Sequence, residues 1–595
     1  MSGFPILTLL TVLPLVGAAI ALWAGKHARG VALITTFCSL AVALWVWTQL
    51  PVNGSIGLVE QHPWAPSLAI EYHLGVDGLG ALMLVLSAIV TLMSVDAAHR
   101  VHHQPGLYFG LVLVLEAGLF GSFTALNFFH WFLFWELSLI PAFFLIKLWG
   151  GARRGPAATQ FFVYTMAGSV ALLVAFLAVF LSTGGSDGPG TMDFGQLTAM
   201  AQTGALERAV TAHLGSGFLG VSVPLWLAIG VLAGFAVKVP MIPFHTWLPA
   251  AYAEAPSPVT MLLTGAMSKM GVYGLLRIAL PIFGAQIAQI RTPLLVLAVA
   301  TVVMGAWAAA AQKDLKRVFA YSSVNHLGYC LLGIFALAVP ATNAATLASQ
   351  AAALNGVILQ MFNHGVTAAA LFWFVAMIQT RTGGHRGIDD FGGLRKPAPV
   401  LAGLMGIALF SSLGLPGLNG FVGEFLIFRG VFPLAWVAAT VSILGLLVTA
   451  AVILTVIQKV FSGPVPERLV NFPDLHHDER MALAPVIGLM LLIGIFAATD
   501  CEQREPHGSK PAGALEILSV SVDDLSLVCR SAAAGAVAQG QEHLGPLAGA
   551  GRGCRWTGAG RARVCGRHGA GTRDDCRSRL GAVDGDSLPT CCRRN

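Results

Sequence analysis

The sequence predicts an all-α polytopic membrane protein of about fourteen transmembrane helices, with two inverted five-helix repeats and breaks in helices seven and twelve. Three observations carry that prediction. First, the 595 residues are 56% apolar and 11% charged, with a mean hydropathy of +0.74. Such values lie outside the range of a water-soluble domain. Second, continuous apolar runs long enough to cross a bilayer core, about 20 residues for roughly 30 Å, recur fourteen times. Their continuity argues for helices, because barrel strands alternate polar and apolar. Third, Lys and Arg sort by loop: sixteen follow odd-numbered runs and four, Arg208, Arg277, Arg291 and Arg429, follow even-numbered ones. Cytoplasmic loops collect these cations, so the N-terminus is expected outside the cytoplasm.

In order along the chain, residues 1–106 hold runs at 4–24, 31–50 and 78–97. No basic residue precedes the first run, and Lys26 and Arg29 follow it. That is the reverse of a secretory signal, so the run reads as an uncleaved span. Residues 107–280 hold runs at 107–126, 128–149, 160–182, 219–247 and 257–280. Residues 293–461 hold runs at 293–312, 315–339, 350–379, 399–430 and 434–461, and the last run is 481–499. The tail, 501–595, changes character: it carries seven of the nine cysteines, twelve arginines against one lysine, and Trp556 as its only aromatic residue. Without apolar periodicity it reads as a disordered or out-of-frame extension. A metal or disulfide module on Cys554, Cys565, Cys576, Cys591 and Cys592 is the alternative, although their wide intervals match no usual ligand spacing.

The composition also excludes functions. The net charge of +6 follows from topology and tail, and points to no nucleic acid. Before residue 500 the only cysteines are Cys38 and Cys330, each alone in an apolar run, which leaves no iron–sulfur or structural zinc spacing. No glycine-rich phosphate loop is present, and no redox cofactor is expected in this chain.

The chemistry must then lie with the few ionisable groups inside the runs. A charge at the bilayer centre costs about 2.5–3.5 kcal/mol on insertion scales and marks a functional position by default. These groups are Glu116, Glu136, Lys238, Lys269, His326, His364 and Glu424. Lys238 ends a long uncharged stretch and precedes Pro240, so its amine cannot easily reach water. Its proton affinity then depends on the distance to a carboxylate such as Glu136, which makes a proton switch. A static buried pair that only fixes helix packing is the alternative.

Pro240 and Pro243 break the same helix, and a break at membrane depth requires protein or water to satisfy the freed backbone groups. Internal water is therefore expected. His245, seven residues past Lys238, is a relay candidate through water or a packing residue. The second break is SSLGLPGLNGFVGEF, where Gly414, Pro416, Gly417 and Gly420 precede Glu424. Breaks five runs apart imply units of opposite orientation with sites near the midplane. His326 and His364 read as relay groups or as satisfied core histidines. Glu71 and Asp77, before the third run, are assigned no role.

With these residues in view, the chain resembles the antiporter-like subunits of proton-pumping NADH:quinone oxidoreductase, respiratory complex I, and among them the chain M type, counterpart of mitochondrial subunit four. The likeness rests on GVDGLG, FWELSLIP, VKVPMIPFHTWLPAAYAEAP, SKMGVYGLLR, DLKRVFAYSSVNHLGY, MFNHGVTAAALF and LPGLNGFVGEF, and extends to about residue 499. It implies that Glu136 and Lys238 form an acid–lysine pair, that Lys269 is the central lysine, that His326 and His364 relay protons, and that Glu424 is the terminal site. Sister chains L and N carry lysine where this chain has Glu424. The motif departs from the family at Ala250 and Tyr252, where Asp and His are usual.

The resemblance implies a proton-translocating subunit of the bacterial inner membrane, driven by redox chemistry in partner subunits, with chains L and N and smaller membrane chains as neighbours. A subunit of a multi-chain sodium/proton antiporter is the nearest alternative. An electron carrier with haem between His326 and His364, and a structural scaffold, are the rivals of other classes.

Overall fold

The computed structural model describes residues 4–503 apart from 52–53, 69 and 186–187. The readings placed on the tail beyond residue 503 lie outside these residues. Among the described residues, twelve helices are long and apolar enough to cross a membrane. Two shorter apolar helices, Val223–Lys238 and Pro399–Leu413, are the first halves of the two broken runs.

The order begins with α1 (Ile6–Trp23) and α2 (Ala28–Thr48), followed by a hairpin of β1 (Gly57–Ala65) and β2 (Ile70–Val76). Next come α3 (Gly78–Ala97), α4 (Pro105–Thr124), α5 (Phe128–Trp149) and α6 (Arg154–Thr183). A loop with the short helices α7 (Phe194–Gln202) and α8 (Ala205–Leu214) and the two-residue strands β3 (Gly217–Phe218) and β4 (Val221–Ser222) leads to α9 (Val223–Lys238) and α10 (Trp247–Glu254). Then follow α11 (Ser257–Gln289), α12 (Arg291–Ala310), α13 (Leu315–Ala336) and α14 (Ala344–Arg381). The chain continues through α15 (Pro399–Leu413), α16 (Asn419–Leu434), α17 (Trp436–Phe461) and α18 (His477–Gln503).

Helix starts follow local chemistry. Asp77, Asn127, Asp193, Asp314 and Asn343 each accept a backbone N–H of the first turn, satisfying donors that the helix itself cannot. The helices sort into an inner and an outer set. Windows of α11, α13 and α14 are about nine-tenths buried within the protein, whereas those of α2, α17 and α18 are about one-third buried or less. The outer helices present apolar side chains such as Ile34, Phe37, Leu447 and Phe496, as a lipid-facing surface requires. Lys269, His326 and His364 all lie on the inner set.

The antiparallel β1–β2 hairpin departs from the purely helical expectation. Its Glu60 accepts the Leu7 and Thr8 backbone N–H groups, at 2.7 and 3.1 Å, and so caps α1 from outside. Glu71, which was assigned no role, accepts from Gln61 at 2.7 Å. Asp77, likewise unassigned, pairs with Arg277 at 2.9 Å. At the other end of the bundle, cations that follow odd-numbered runs meet acids: Arg29 with Asp96, Arg381 with Glu479, Arg386 with Asp314, and Lys459 with Asp389.

Candidate functional site

Two broken helices position the site. In the first, α9 stops at Lys238 and α10 begins at Trp247. The intervening backbone is held by protein groups: Trp247 Nε1 donates to Val237 O at 2.9 Å, Met241 N to Ala236 O at 2.9 Å, and Ile242 N to Thr301 Oγ1 at 3.1 Å. Side chains thus do part of the work that the sequence assigns to internal water. In the second break, α15 ends at Leu413, with Gly414 in the left-handed region at φ +78°. Asn419, which opens α16, is fastened to α14: Asn363 Nδ2 donates to its carbonyl at 2.6 Å, and its own Nδ2 reaches Thr367 Oγ1 at 3.4 Å.

Lys238 is buried, with Nζ 4.4 Å from the centre of the Trp135 ring and 3.4 Å from Ser138 Oγ. It lies near enough to Glu136 to feel its charge, yet no ion pair within 4.0 Å joins the two, and Glu136 Oε1 is buried without a hydrogen-bond partner among the described residues. The expected acid–lysine pair is therefore separated in this structure. Such a contact holds a cation weakly compared with a carboxylate. Trp135 is itself fixed by its bond to Ser169 Oγ at 2.9 Å.

Farther along, four of the expected residues form one connected run. Lys269 Nζ lies 2.7 Å from His364 Nδ1 and also donates to the Thr264 carbonyl. The His364 and His326 rings are in contact, with centroids 5.1 Å apart. His326 Nδ1 lies 3.0 Å from Glu424 Oε1. The order along the run is thus Lys269, His364, His326, Glu424, with His364 ahead of His326. The two imidazoles thus pack against each other, each also engaged by a group of the run.

Uncharged groups complete the run. Gln360 Nε2 donates to Glu424 Oε1 at 3.3 Å, and Ser412 Oγ lies 3.2 Å from His326 Nε2. A cavity of about 20 Å³, enough for about one water, opens among His326, His364, Ser323, Thr367, Ser411 and Glu424. A hydroxyl both donates and accepts at one oxygen and so can pass a proton onward, whereas the Gln360 amide can only orient its partners.

The structure does not join every candidate. Glu116 is buried on α4 beside Ser39, and no hydrogen bond links it to Lys238. His245 is half-buried in the first break, where its ring approaches Tyr321 at 6.5 Å. At the departed motif positions, Tyr252 is fully buried and its hydroxyl donates to Leu263 O at 3.0 Å, so a neutral phenol fills the space.

One cluster escaped the sequence reading. Lys316, counted there as a loop cation, is buried at the start of α13 and donates to Ala255 O at 2.5 Å. Beside it, Glu254 accepts the Arg153 backbone N–H at 2.9 Å, and Arg386 bonds both Ala253 O, at 2.7 Å, and Asp314, at 2.6 Å. Nothing in the DLKR segment marks it, since Lys316 lies ten residues before His326 and so about 80° away around the helix axis.

Comparison with known proteins places this geometry in context. Residues 125–453 match the family described as NADH:quinone oxidoreductase/Mrp antiporter, TM. The NADH-quinone oxidoreductase subunit M of Rhodobacter capsulatus is 34% identical over 502 residues, 82% of this chain and 93% of that protein. A chain of respiratory complex I from Thermus thermophilus with bound NADH superimposes with a TM-score of 0.73 at 28% identity, over 88% of this chain and 99% of that one. A chain of the Mrp complex from Dietzia sp. DQ12-45-1b shares the fold, with a TM-score of 0.70 at 22% identity over 90% of this chain and 100% of that one.

Proposed function

The chain belongs to the NADH:quinone oxidoreductase/Mrp antiporter transmembrane family, and from that membership we propose that it is the M-type proton-translocating subunit of an NADH:quinone oxidoreductase. The observation that carries the reading is the run from Lys269 through His364 and His326 to Glu424, with short polar contacts at its two ends and the two imidazole rings packed together between them.

In this reading Lys238 takes up a proton when Glu136 approaches, because a nearby carboxylate favours the ammonium, and releases it toward Lys269 when the two separate. The proton then passes to His364, His326 and Glu424, and leaves from there. Moving one proton against 100 mV costs about 2.3 kcal/mol. With no redox cofactor of its own, the chain receives that energy from partner subunits, among them chains L and N and the smaller membrane chains. The concentration of paired cations at one end of the bundle supports a bacterial inner-membrane location with an extracytoplasmic N-terminus.

Glu424→Gln and Lys238→Ala, each in the assembled complex, test this in sealed vesicles. Proton uptake driven by NADH should fall by at least about tenfold, on the scale of losing one acid–base group. NADH oxidation by a water-soluble acceptor should be unchanged, which reports assembly. Undiminished pumping in either variant overturns the mechanism. Sodium-dependent transport without NADH identifies the antiporter alternative instead.

A further inference from the structure

A second cavity, of about 260 Å³, lies away from the proton run, where α3 and α14 finish and α18 begins. Its polar lining is basic. Arg100 and Arg381 face it, together with His99 and His476. The one carboxylate in the lining, Glu479, is already engaged by Arg381 at 2.5 Å and by the His476 backbone N–H at 2.8 Å. The nearby Asp96 is committed to Arg29 at 2.7 Å.

Arg381 is the informative residue. Its side chain is only 7% exposed, and its Nε is buried with no hydrogen-bond partner among the described residues. A guanidinium has five donors and no acceptor, and with one N–H given to Glu479 and one to the Met377 carbonyl, its remaining terminal N–H groups are left for an anionic or carbonyl oxygen in the cavity. Arg100 is exposed and has no ion-pair partner among the described residues. Burial, followed by the charges of Arg100 and Arg29, holds the His99 imidazole below its ordinary value, against the opposing charges of Glu479 and Asp96.

Trp373 and Met377 supply an apolar wall to the same space. A free phosphate ion gains nothing from such a wall, whereas the ester and first methylenes of a lipid do. The position, at the ends of membrane-spanning helices, is where headgroups reside, and basic pockets between such helices recognise anionic heads. We propose that this cavity is a binding site for the phosphate of an anionic phospholipid, held by Arg100 and Arg381 with the lipid ester against Trp373 and Met377.

The test uses the intact complex in nanodiscs, with a photoreactive phosphatidylglycerol probe and a matched phosphatidylcholine probe, and cross-links mapped by peptide mass spectrometry. The phosphatidylglycerol probe should label the segment from Trp373 to Arg381. Labelling should be roughly tenfold weaker with phosphatidylcholine and in Arg100→Glu, a substitution at the exposed mouth that leaves the packing intact. Arg381→Gln, which removes the guanidinium charge, should weaken labelling as well. Equal labelling by both probes overturns the proposal, as does labelling that neither substitution lowers. Competition by inorganic phosphate as effective as that by unlabelled phosphatidylglycerol would reveal a phosphate site instead. Cross-linking to an adjacent subunit at this segment would show that protein fills the cavity.

Discussion

Lys238 and Lys269 are both buried amines two elements apart, yet they have different company. Lys269 is within hydrogen-bond reach of a titratable partner, His364, whereas Lys238 rests on an aromatic face and a serine. Only the second arrangement can change its state by a small movement of a distant carboxylate, since a charge gains or loses several kcal/mol of interaction over a few ångströms in a medium of low polarity. Outside the membrane, a single residue offers a cleaner titration. Burial pushes the Asp193 carboxyl up, but the His73 hydrogen bond at 2.7 Å and the Gln196 N–H outweigh it, so Asp193 stays below its ordinary value. A lowered folded-state value means stability that is fully present above the unfolded value, about 4, and lost as pH falls through the folded one. Acidification from about pH 4 downward should therefore lower the thermal midpoint. Asp193→Asn keeps the cap on α7 but removes the charge, so its midpoint should start lower at neutral pH and fall less steeply over that acid range. Parallel acid curves for the two proteins would show that the pair contributes nothing.

At the scale of an element, the second break works because glycine lets a backbone turn lie against an acid. A methyl group at Gly414 would sit 2.8 Å from Glu424 Oε2 and would also impose a left-handed conformation on alanine. Gly417 shares the positive φ but would meet nothing within 4 Å. Comparing the two separates contact from strain. Gly414→Ala should reduce NADH-driven pumping several-fold more than Gly417→Ala in assembled complex, because both carry roughly 1–3 kcal/mol of backbone strain and only one displaces the carboxylate. Equal losses would mean that the turn matters and its contact with Glu424 does not. The break itself was legible, since Gly, Pro and a charge within one apolar run admit few other readings. Its fastening was not: Asn363, Asn419, Gln360 and Ser412 are neutral, and a search for buried charge passes over amides and hydroxyls. Lys316 was missed for a different reason, because a lysine at the first turn of a helix looks the same in sequence whether it faces solvent or the protein. The β1–β2 hairpin lacks clean alternation and contains Pro63, which hid it.

Across the whole molecule, α11 is the part that touches both halves of the path. On one side a methyl group at Gly271 would lie 2.5 Å from Val239, next to Lys238 at the first break. On the other, Gly265 and Gly365 bring the α11 and α14 backbones together, a close approach that small residues permit. Lys269 stands between these contacts, and the helix is locally widened on either side of it, at Leu263–Met267 and Leu275–Ala279. Wider turns of this kind re-aim side chains without ending a helix. The position of α11 therefore sets the Lys269–His364 distance and the packing around Lys238 together, which gives one element leverage over both ends of the relay. A methyl group at Gly365 would press to 2.7 Å from the Gly265 carbonyl and drive α14 away from α11. Gly365→Ala should lengthen the 2.7 Å contact between Lys269 and His364 and lower NADH-driven proton uptake by about tenfold or more, with acceptor-linked NADH oxidation and subunit composition unchanged. Normal proton uptake in that variant would mean that protons cross between the halves without this contact, and the run from Lys269 to Glu424 would lose its claim to be the route.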